Sequence, residues 1–189
     1  MTRANTAKPR IDDAAIALFT RVGVDAATTK EIAALAGVSE GAIYRHYKSK
    51  DELAISLFMG VHRRLSLLVA EAAADAKGVK AKAAAIVNAY CEVADEDWPL
   101  FTFHLLSIHR FLPYYQEDGK DPVSVVEGIL KRAMMDCEIP PADPRVVAAM
   151  AIGAIVQTAQ NKAYNRIDGP LSAHAPLMTA AVQAILVAR

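Results

Sequence analysis

The side chains with the most evident chemistry are concentrated between Thr28 and Lys50. Hydroxyls, lysines, an arginine and a histidine follow one another there, and capping boxes begin at Thr28 and Ser49. Backbone amides at helix N-termini bind phosphate, and lysine and tyrosine side chains bind the same group. This segment therefore predicts an anionic partner that carries phosphates.

The distribution of charge along the chain agrees with that prediction. Residues 1–50 hold 8 Lys or Arg against 5 Asp or Glu, whereas residues 51–189 hold 13 against 16. The chain is neutral as a whole, but its N-terminal head is basic and the remainder is acidic. This asymmetry favours an anionic partner at the head.

The spacing around Gly37 is typical of a helix-turn-helix. A short apolar helix ends at Ala36-Gly37-Val38-Ser39, and a second short helix runs from Glu40 to about Tyr47. In such a unit the second helix enters the DNA major groove, with its N-terminal residues at the base edges. We therefore predict that residues 40–47 form a recognition helix.

This recognition helix should have two faces. Small side chains at Gly41 and Ala42 would permit close approach to DNA, and Tyr44 and Arg45 should point toward it. Ile43 should point inward, as should Tyr47 one turn later.

Composition and periodicity predict an all-α chain of about nine helices, because alanine is abundant and no stretch alternates as a strand would. An N-terminal three-helix helix-turn-helix domain occupies residues 1–50, with the first turn of a linking helix at 49–76 functionally included. Residues 51–189 form a C-terminal helical domain. Residues 1–9 are interpreted as a mobile basic arm, and Gly23 as a C-cap. Helices are predicted at about residues 10–22, 29–36, 40–47, 49–76, 80–94, 98–112, 122–137, 143–166 and 174–188.

From Thr28 to Leu53 the chain closely resembles the TetR family of transcriptional regulators. The family pattern T-x-x-x-I-A-x-x-A-G-V-S-x-G-x-x-Y-x-(H/Y)-F-x-x-K-x-x-L is met at nearly every position. Tyr47 stands where the family usually has Phe, and this exchange keeps an aromatic plug. With the first helix, the resemblance covers roughly residues 8–55, which makes it highly specific.

The resemblance implies a homodimer that binds a palindromic double-stranded DNA operator, usually as a repressor. The two recognition helices should lie roughly 34–36 Å apart. It also implies a C-terminal pocket whose small-molecule effector changes the spacing of the two heads. His46 has an alternative role in packing or capping, and Glu40 would either accept from a cytosine amino group or repel phosphate. Matched position by position, the DNA-facing residues are Thr29, Lys30, Ser39, Gly41, Ala42, Tyr44, Arg45, His46 and Lys50.

Residues 98–115 are rich in aromatic and hydroxyl side chains, within an otherwise aliphatic domain. Pockets favour apolar walls with a few polar groups, so this segment and a nearby later helix predict a site for an apolar or amphipathic effector. The alternatives are core packing, surface or dimer contacts. The predicted pocket residues are Trp98, Phe101, His104, Leu105, Ile108, Tyr114, Met134, Gln157 and Asn161.

Small residues between Val146 and Ala163 permit close helix–helix contact. With the last helix they predict a four-helix interface across a two-fold axis. The alternative is that both helices bury their apolar faces within one subunit. The predicted interface residues are Val146, Met150, Gly153, Ala154, Leu177, Ala181 and Ile185.

Other classes of function lack support in the sequence. There is no nucleophile–base pair and no phosphate loop, so we predict no enzymatic activity and no cofactor. His104 and His109 are five residues apart, Cys91 and Cys137 form no C-x-x-C pair, and we predict no metal site and two buried thiols. The absence of an apolar signal segment or an uninterrupted 18-residue apolar run predicts a cytoplasmic protein without a membrane partner. The remaining alternative is an effector-independent DNA-binding or partner-recruiting module, which a solid C-terminal core would favour.

Overall fold

The computed structural model describes residues 7–112 and 121–188, and its regular structure over those ranges is entirely helical. This confirms the all-α prediction, with a helix at each of the nine predicted places. A short 3-10 helix at Leu171–His174 precedes the last of them. The α-helices are α1 (Ala7–Ala26), α2 (Thr29–Ala36), α3 (Glu40–Tyr44), α4 (Lys50–Ala74), α5 (Val79–Glu96), α6 (Trp98–Phe111), α7 (Pro122–Met135), α8 (Pro144–Ala163) and α9 (Ala175–Val187).

The capping box at the start of α2 forms as predicted. The Thr28 hydroxyl accepts from the Glu31 backbone N–H at 3.2 Å, and the Glu31 carboxylate accepts from the Thr28 N–H at 3.0 Å. At the start of α4, the Ser49 hydroxyl accepts from the Glu52 N–H at 3.0 Å, but the Glu52 carboxylate accepts from the Lys48 N–H. The second capping box is therefore only half formed, although Ser49 still caps the helix.

Helices α6, α7 and α8 begin with a shared local arrangement. An aspartate carboxylate accepts from backbone N–H groups of the first turn, and a proline follows within that turn. Aspartate suits the positive end of the helix dipole, and proline lacks an N–H where none is needed. The caps are Asp97, Asp121 and Asp143, and the prolines are Pro99, Pro122 and Pro144.

The first helix is longer than predicted at both ends. Gly23 has a φ of 82°, a conformation that favours glycine, and the helix kinks there instead of ending at Val22. One more turn follows, in which the Ala27 N–H donates to the Gly23 carbonyl at 3.3 Å. At the other end, Lys8 belongs to α1 and not to a mobile arm, while Arg3 lies outside the described residues.

The hydrophobic core of the head is shared with α6. Buried side chains of α1, α2, α3 and the first part of α4 pack together, and Phe103 and Phe111 of α6 join them. The Phe19 and Phe103 rings stack at 5.6 Å between centroids, and Phe58 lies 5.4 Å from Phe111. Contacts of the head therefore extend well beyond residue 50, and the domain division at that residue stays a prediction.

The remaining helices form a second core. The C-terminal half of α4 packs with α5 to α9, with α5 against α9 and α8 against both α7 and α9. Cys91 is buried there as predicted. Cys137 is exposed, contrary to expectation, because it follows α7 in a turn where its own φ is 58°.

Helix α4 joins the two cores. By length and composition it is the one helix of the described ranges that is apolar enough to span a membrane, with a mean hydropathy of 1.4 over an 18-residue window. Its apolar side chains contribute to both cores, from Leu53 and Phe58 in the head to Val61 and Leu65 in the body.

Candidate DNA-binding surface and ligand cavity

The turn between α2 and α3 has the geometry predicted for a helix-turn-helix. Gly37 ends α2 with a left-handed φ of 63°, which favours glycine. The Val38 N–H donates to the Ala33 carbonyl at 3.0 Å, which closes the turn. This turn sets the direction of α3 relative to α2.

One face of α3 is anchored inside the head and the other is exposed. Ile43 is fully buried and Tyr47 is 5% exposed, as predicted, whereas the Tyr44 side chain is 52% exposed. Ala42 is only 4% exposed, so its methyl group packs into the head instead of facing DNA. The expectation for Ala42 is thus corrected, because it shares the inward face with its neighbour Ile43.

Tyr47 ties the end of the recognition segment to α1. Its hydroxyl donates to the Asp12 carboxylate at 2.6 Å and accepts from the Lys8 ammonium at 2.6 Å, and Lys8 also donates to Asp12 at 2.8 Å. Partial burial opposes the charge on Lys8, but the bonds to Asp12 and Tyr47 outweigh it and raise the pKa of Lys8. Burial, followed by the bond to Asp12, raises the pKa of Tyr47. This network fixes the segment after α3 against the first helix.

Two predicted DNA contacts also bond within the head. The Thr29 hydroxyl donates to the Glu40 carboxylate at 3.0 Å, which links the starts of α2 and α3. The Lys50 ammonium donates to the backbone carbonyls of Asp25 at 3.0 Å and Ala27 at 2.7 Å. Lys50 therefore holds the end of α1 and the segment that follows it, with two of its three N–H groups directed into the protein.

The other predicted DNA contacts are on the surface. Helix α2 contributes one of them in its first turn, and the rest belong to α3, its cap and the two residues that follow it. They are exposed side chains or, for glycine, an exposed backbone: Lys30, Ser39, Gly41, Tyr44, Arg45 and His46.

A cavity of about 160 Å³ lies inside the C-terminal domain. Side chains from α4 to α9 line it, and most of them are aliphatic. Among the described residues of the lining, the polar side chains are His62, Tyr90 and His104. The site therefore combines an apolar wall with a small number of polar groups, as expected for a pocket that binds an apolar molecule.

Three of the predicted pocket residues line this cavity: His104, Leu105 and Ile108. Tyr114 lies outside the described residues. Five others do not line it, because the cavity adjoins the C-terminal half of α6 and the middle of α8. Trp98 stacks on Phe101 in the first turns of α6, Met134 packs on the core, Gln157 is exposed, and Asn161 donates to the Gln157 carbonyl at 2.8 Å.

The two histidines of the cavity are in direct contact. Nδ1 of His62 lies 3.3 Å from Nε2 of His104, and the Phe58 ring stacks on His104 at 4.6 Å between centroids. Burial lowers the pKa of His104 to about 3, and the neighbouring His62 adds to that effect. Burial also lowers the pKa of His62, while the charge of Asp121 acts in the opposite direction.

Helix α6 continues from the cavity to the head. Its last turn carries Arg110, which donates to the carboxylates of Asp25 at 2.6 Å and Asp51 at 3.3 Å. The bond from Arg110 holds the pKa of Asp25 below its usual range. One helix therefore contacts the cavity through His104 and the head through Arg110.

The contacts that join distant segments cannot be predicted from local sequence patterns. The aliphatic lining from α5 and α7 repeats at ordinary core spacing, so no sequence signal separates cavity from core. A signal for the cavity does exist at His62, which is a polar residue on the apolar stripe of α4. No local pattern pairs Arg110 with Asp25, or Lys8 with Tyr47, because the partners are far apart in sequence.

Comparison with known proteins gives a family match for the head of the chain. The family model for bacterial regulatory proteins of the tetR family matches residues 11–57. The HTH-type transcriptional regulator YerO of Bacillus subtilis (strain 168) is 46% identical over 52 residues, a match that spans 28% of this chain and 18% of that regulator. The fatty acid metabolism regulator protein of the same organism is 25% identical over 154 residues, with 79% of each chain covered.

Solved structures share the fold over nearly the whole chain. The fatty acid degradation regulator FadR from Bacillus halodurans superposes with a TM-score of 0.81 at 21% identity, covering 98% of this chain and 97% of that one. FadR from Bacillus subtilis, in complex with stearoyl-CoA, gives a TM-score of 0.73 at 22% identity, covering 95% and 97%. The helix-turn-helix, its matched segment at residues 11–57 and this shared architecture agree, and together they support a DNA-binding transcriptional regulator of the tetR type.

Proposed function

We propose that the protein is a homodimeric repressor that leaves its operator when an apolar or amphipathic small molecule occupies the cavity. The cavity is the observation that carries this proposal. An effector-independent module would be better served by a filled C-terminal core, since core cavities lower stability. The ligand acts by binding the conformation that does not fit DNA more tightly than the one that does.

The contacts of α4 and α6 support coupling between cavity and head. Phe58 stacks on His104, which lines the cavity, and Phe58 also packs against Phe111 in the head core. Arg110 then bonds the end of α6 to Asp25. A ligand that displaces α6 must therefore disturb the packing that orients the recognition helix.

An alkyl chain is the apolar group that best suits this cavity. Its volume of about 160 Å³ is below the roughly 300–1,000 Å³ typical of pockets for drug-sized ligands. A small, aliphatic space favours a slender apolar chain over a ring system. The relatives named for fatty acid regulation, one of them solved with stearoyl-CoA, support a fatty acyl compound as the effector.

The outer face of α8 and α9 supports the proposed dimer. Leu177 is 75% exposed, and Val146 and Met150 are more than half exposed. Large apolar side chains exposed together mark interaction surfaces. The other predicted interface residues, Gly153, Ala154, Ala181 and Ile185, are exposed or half-buried on the same two helices.

The exposed residues of the head are the proposed DNA contacts. Tyr44 and Lys30 suit phosphates, and Arg45 suits a base edge. Ser39, Gly41 and His46 complete the surface, while Thr29 and Lys50 also hold its shape through the bonds described above.

We further infer that the molecule works by binding in the cytoplasm, where operator DNA is accessible, and not by catalysis. Regulators of this family are generally not enzymes. A turnover screen with a broad substrate panel tests this point, and reproducible turnover would overturn it.

The main test combines operator selection with ligand addition. Bound duplexes are selected from a random library, and affinity for the resulting operator is measured with and without stearoyl-CoA and dodecanoyl-CoA. Coupling between sites typically changes affinity by about 5- to 150-fold. We expect at least fivefold weaker operator binding when the ligand is present. An operator affinity that neither stearoyl-CoA nor dodecanoyl-CoA changes would refute the proposal.

A variant that fills the cavity provides the matched control. Ala151 lines the cavity on α8, so Ala151→Leu should keep operator affinity and lose the response to ligand. Ala81 is exposed on α5, and Ala81→Leu should keep both. An Ala151→Leu protein that still responds fully would place the effector elsewhere.

A further inference from the structure

The strongest unused feature of the cavity is its buried histidine pair. His62 on α4 and His104 on α6 meet at 3.3 Å between ring nitrogens, and both line the cavity. His104 is only 4% exposed. Buried polar groups in an aliphatic wall are costly unless they form hydrogen bonds, so the pair provides a local point of polar recognition.

The contact between the rings restricts where protons lie. If both imidazoles are neutral, Nδ1 of His62 and Nε2 of His104 share one hydrogen. The two outer nitrogens then carry one N–H and one unprotonated nitrogen, in either of the two tautomer arrangements. When Nδ1 of His62 donates to Nε2 of His104, the outer nitrogen of His104, Nδ1, carries the N–H. His104 can then donate this N–H to a ligand.

Burial decides the charge that this site presents. The aliphatic surroundings lower the pKa of His104 to about 3, so its ring is uncharged near neutral pH. Burial lowers the pKa of His62 as well, and the Asp121 carboxylate at the start of α7 acts against that shift. A carboxylate ligand would therefore leave water for an environment of neutral dipoles, which is unfavourable for an anion.

We propose that His104, held in place by His62, selects effectors with an apolar chain and an uncharged carbonyl group, such as an ester, thioester or ketone, and discriminates against a free carboxylate. This inference rests on the proposed function, because it concerns the ligand of the same cavity. The carbonyl oxygen accepts from an imidazole N–H, and the alkyl chain lies along the aliphatic wall. The ligand then contacts the ring that stacks on Phe58, which is part of the head core.

The test uses three probes with chains of the same length: 2-dodecanone, dodecane and dodecanoate. Each displaces the neutral fluorescent probe N-phenyl-1-naphthylamine from the full-length protein at pH 7.5. A neutral hydrogen bond contributes about 1 kcal/mol, which corresponds to about fivefold in affinity. We expect the ketone to bind about fivefold more tightly than the alkane, and the carboxylate to bind more weakly than the ketone.

Three variants locate the effect. His104→Leu should bind ketone and alkane equally, whereas His104→Asn keeps a polar group near the position of Nδ1 and should retain the preference. His109 is exposed on the same helix, so His109→Leu should behave as the natural protein does. A preference that survives in His104→Leu would overturn the assignment.

The remaining outcomes separate this inference from the proposed function. Equal binding of ketone and alkane by the natural protein would overturn the histidine assignment and leave an apolar effector site intact. Dodecanoate binding at least as tightly as the ketone would overturn the discrimination against carboxylates. Binding of neither the fluorescent probe nor any chain would refute the cavity as an effector site, and both proposals with it.

Discussion

Replacing Lys50 with Met separates the hydrogen bonds that this side chain forms within the head from its proposed contact with phosphate. The methionine keeps most of the aliphatic stem and removes the ammonium, which donates to the carbonyls of Asp25 and Ala27. Hydrogen bonds to charged groups typically contribute about 1.5–3 kcal/mol each, and these two are partly exposed to water. We therefore expect Lys50→Met to lower the free energy of unfolding by about 1–2 kcal/mol, measured by urea denaturation.

The same substitution tests the proposed phosphate contact. Each phosphate neutralised contributes about 0.9 to the slope of log affinity against log salt, so Lys50→Met should reduce the slope by about that amount. When salt rises from 50 to 200 mM, the fold-loss of operator affinity should then be about 3.5 times smaller for the variant than for the natural protein. Operator binding measured at several salt concentrations gives this slope directly.

Lys30→Met is the matched control, since Lys30 is an exposed lysine at the start of α2. It should reduce the salt slope by a similar amount without the loss of stability. Unchanged urea denaturation of Lys50→Met would refute the structural role of the ammonium. Reduced stability with an unchanged salt slope would refute the phosphate contact and leave Lys50 as a positioning residue.

Three further predictions concern the links between segments. Tyr47→Phe should fold but lower the free energy of unfolding by about 1 kcal/mol in urea denaturation, because the hydroxyl bonds to Asp12 and Lys8 are lost while the direct Lys8–Asp12 bond remains; equal stability would argue against a stabilising role for the hydroxyl. The pKa of His104 is depressed to about 3 in the folded protein. Unfolding at a pH between that value and about 6.5, the ordinary pKa of histidine, therefore takes up a proton. The free energy of unfolding should fall as the pH drops through this window, by up to about 2 kcal/mol at pH 5. His104→Asn should flatten that dependence, and an identical pH profile would refute the assignment. Arg110→Ala breaks two exposed ion pairs and should leave stability nearly unchanged, yet weaken the effect of ligand on operator affinity; undiminished coupling would exclude Arg110 from the transmission.

Local signals account for what could be predicted from the sequence. Apolar periodicity located every helix, the capping pattern at Thr28 fixed the start of α2, and Gly37 marked the turn before the recognition helix. These features depend on residues within four positions of one another. The sequence is therefore sufficient to place the helix-turn-helix and to assign the class of its partner, DNA.

Features that depend on distant residues could not be predicted in this way. The cavity exists because six helices fail to fill the space between them, and its aliphatic lining has the same spacing as solid core. The aromatic composition at the start of α6 predicts a pocket there, yet Trp98 and Phe101 pack on the core. The family resemblance and the small side chain predict a DNA contact at Ala42, whereas its position beside Ile43 places it on the inward face.

The phenylalanines that α6 contributes to the head have a consequence for protein engineering. A DNA-binding fragment that consists of residues 1–50 would lack Phe103 and Phe111, together with the buried part of α4. Such a fragment would expose apolar surface and fold poorly by itself. Chimeric regulators that exchange DNA specificity should therefore carry over the matching positions of α4 and α6, or graft only the exposed residues of α3 onto an intact scaffold.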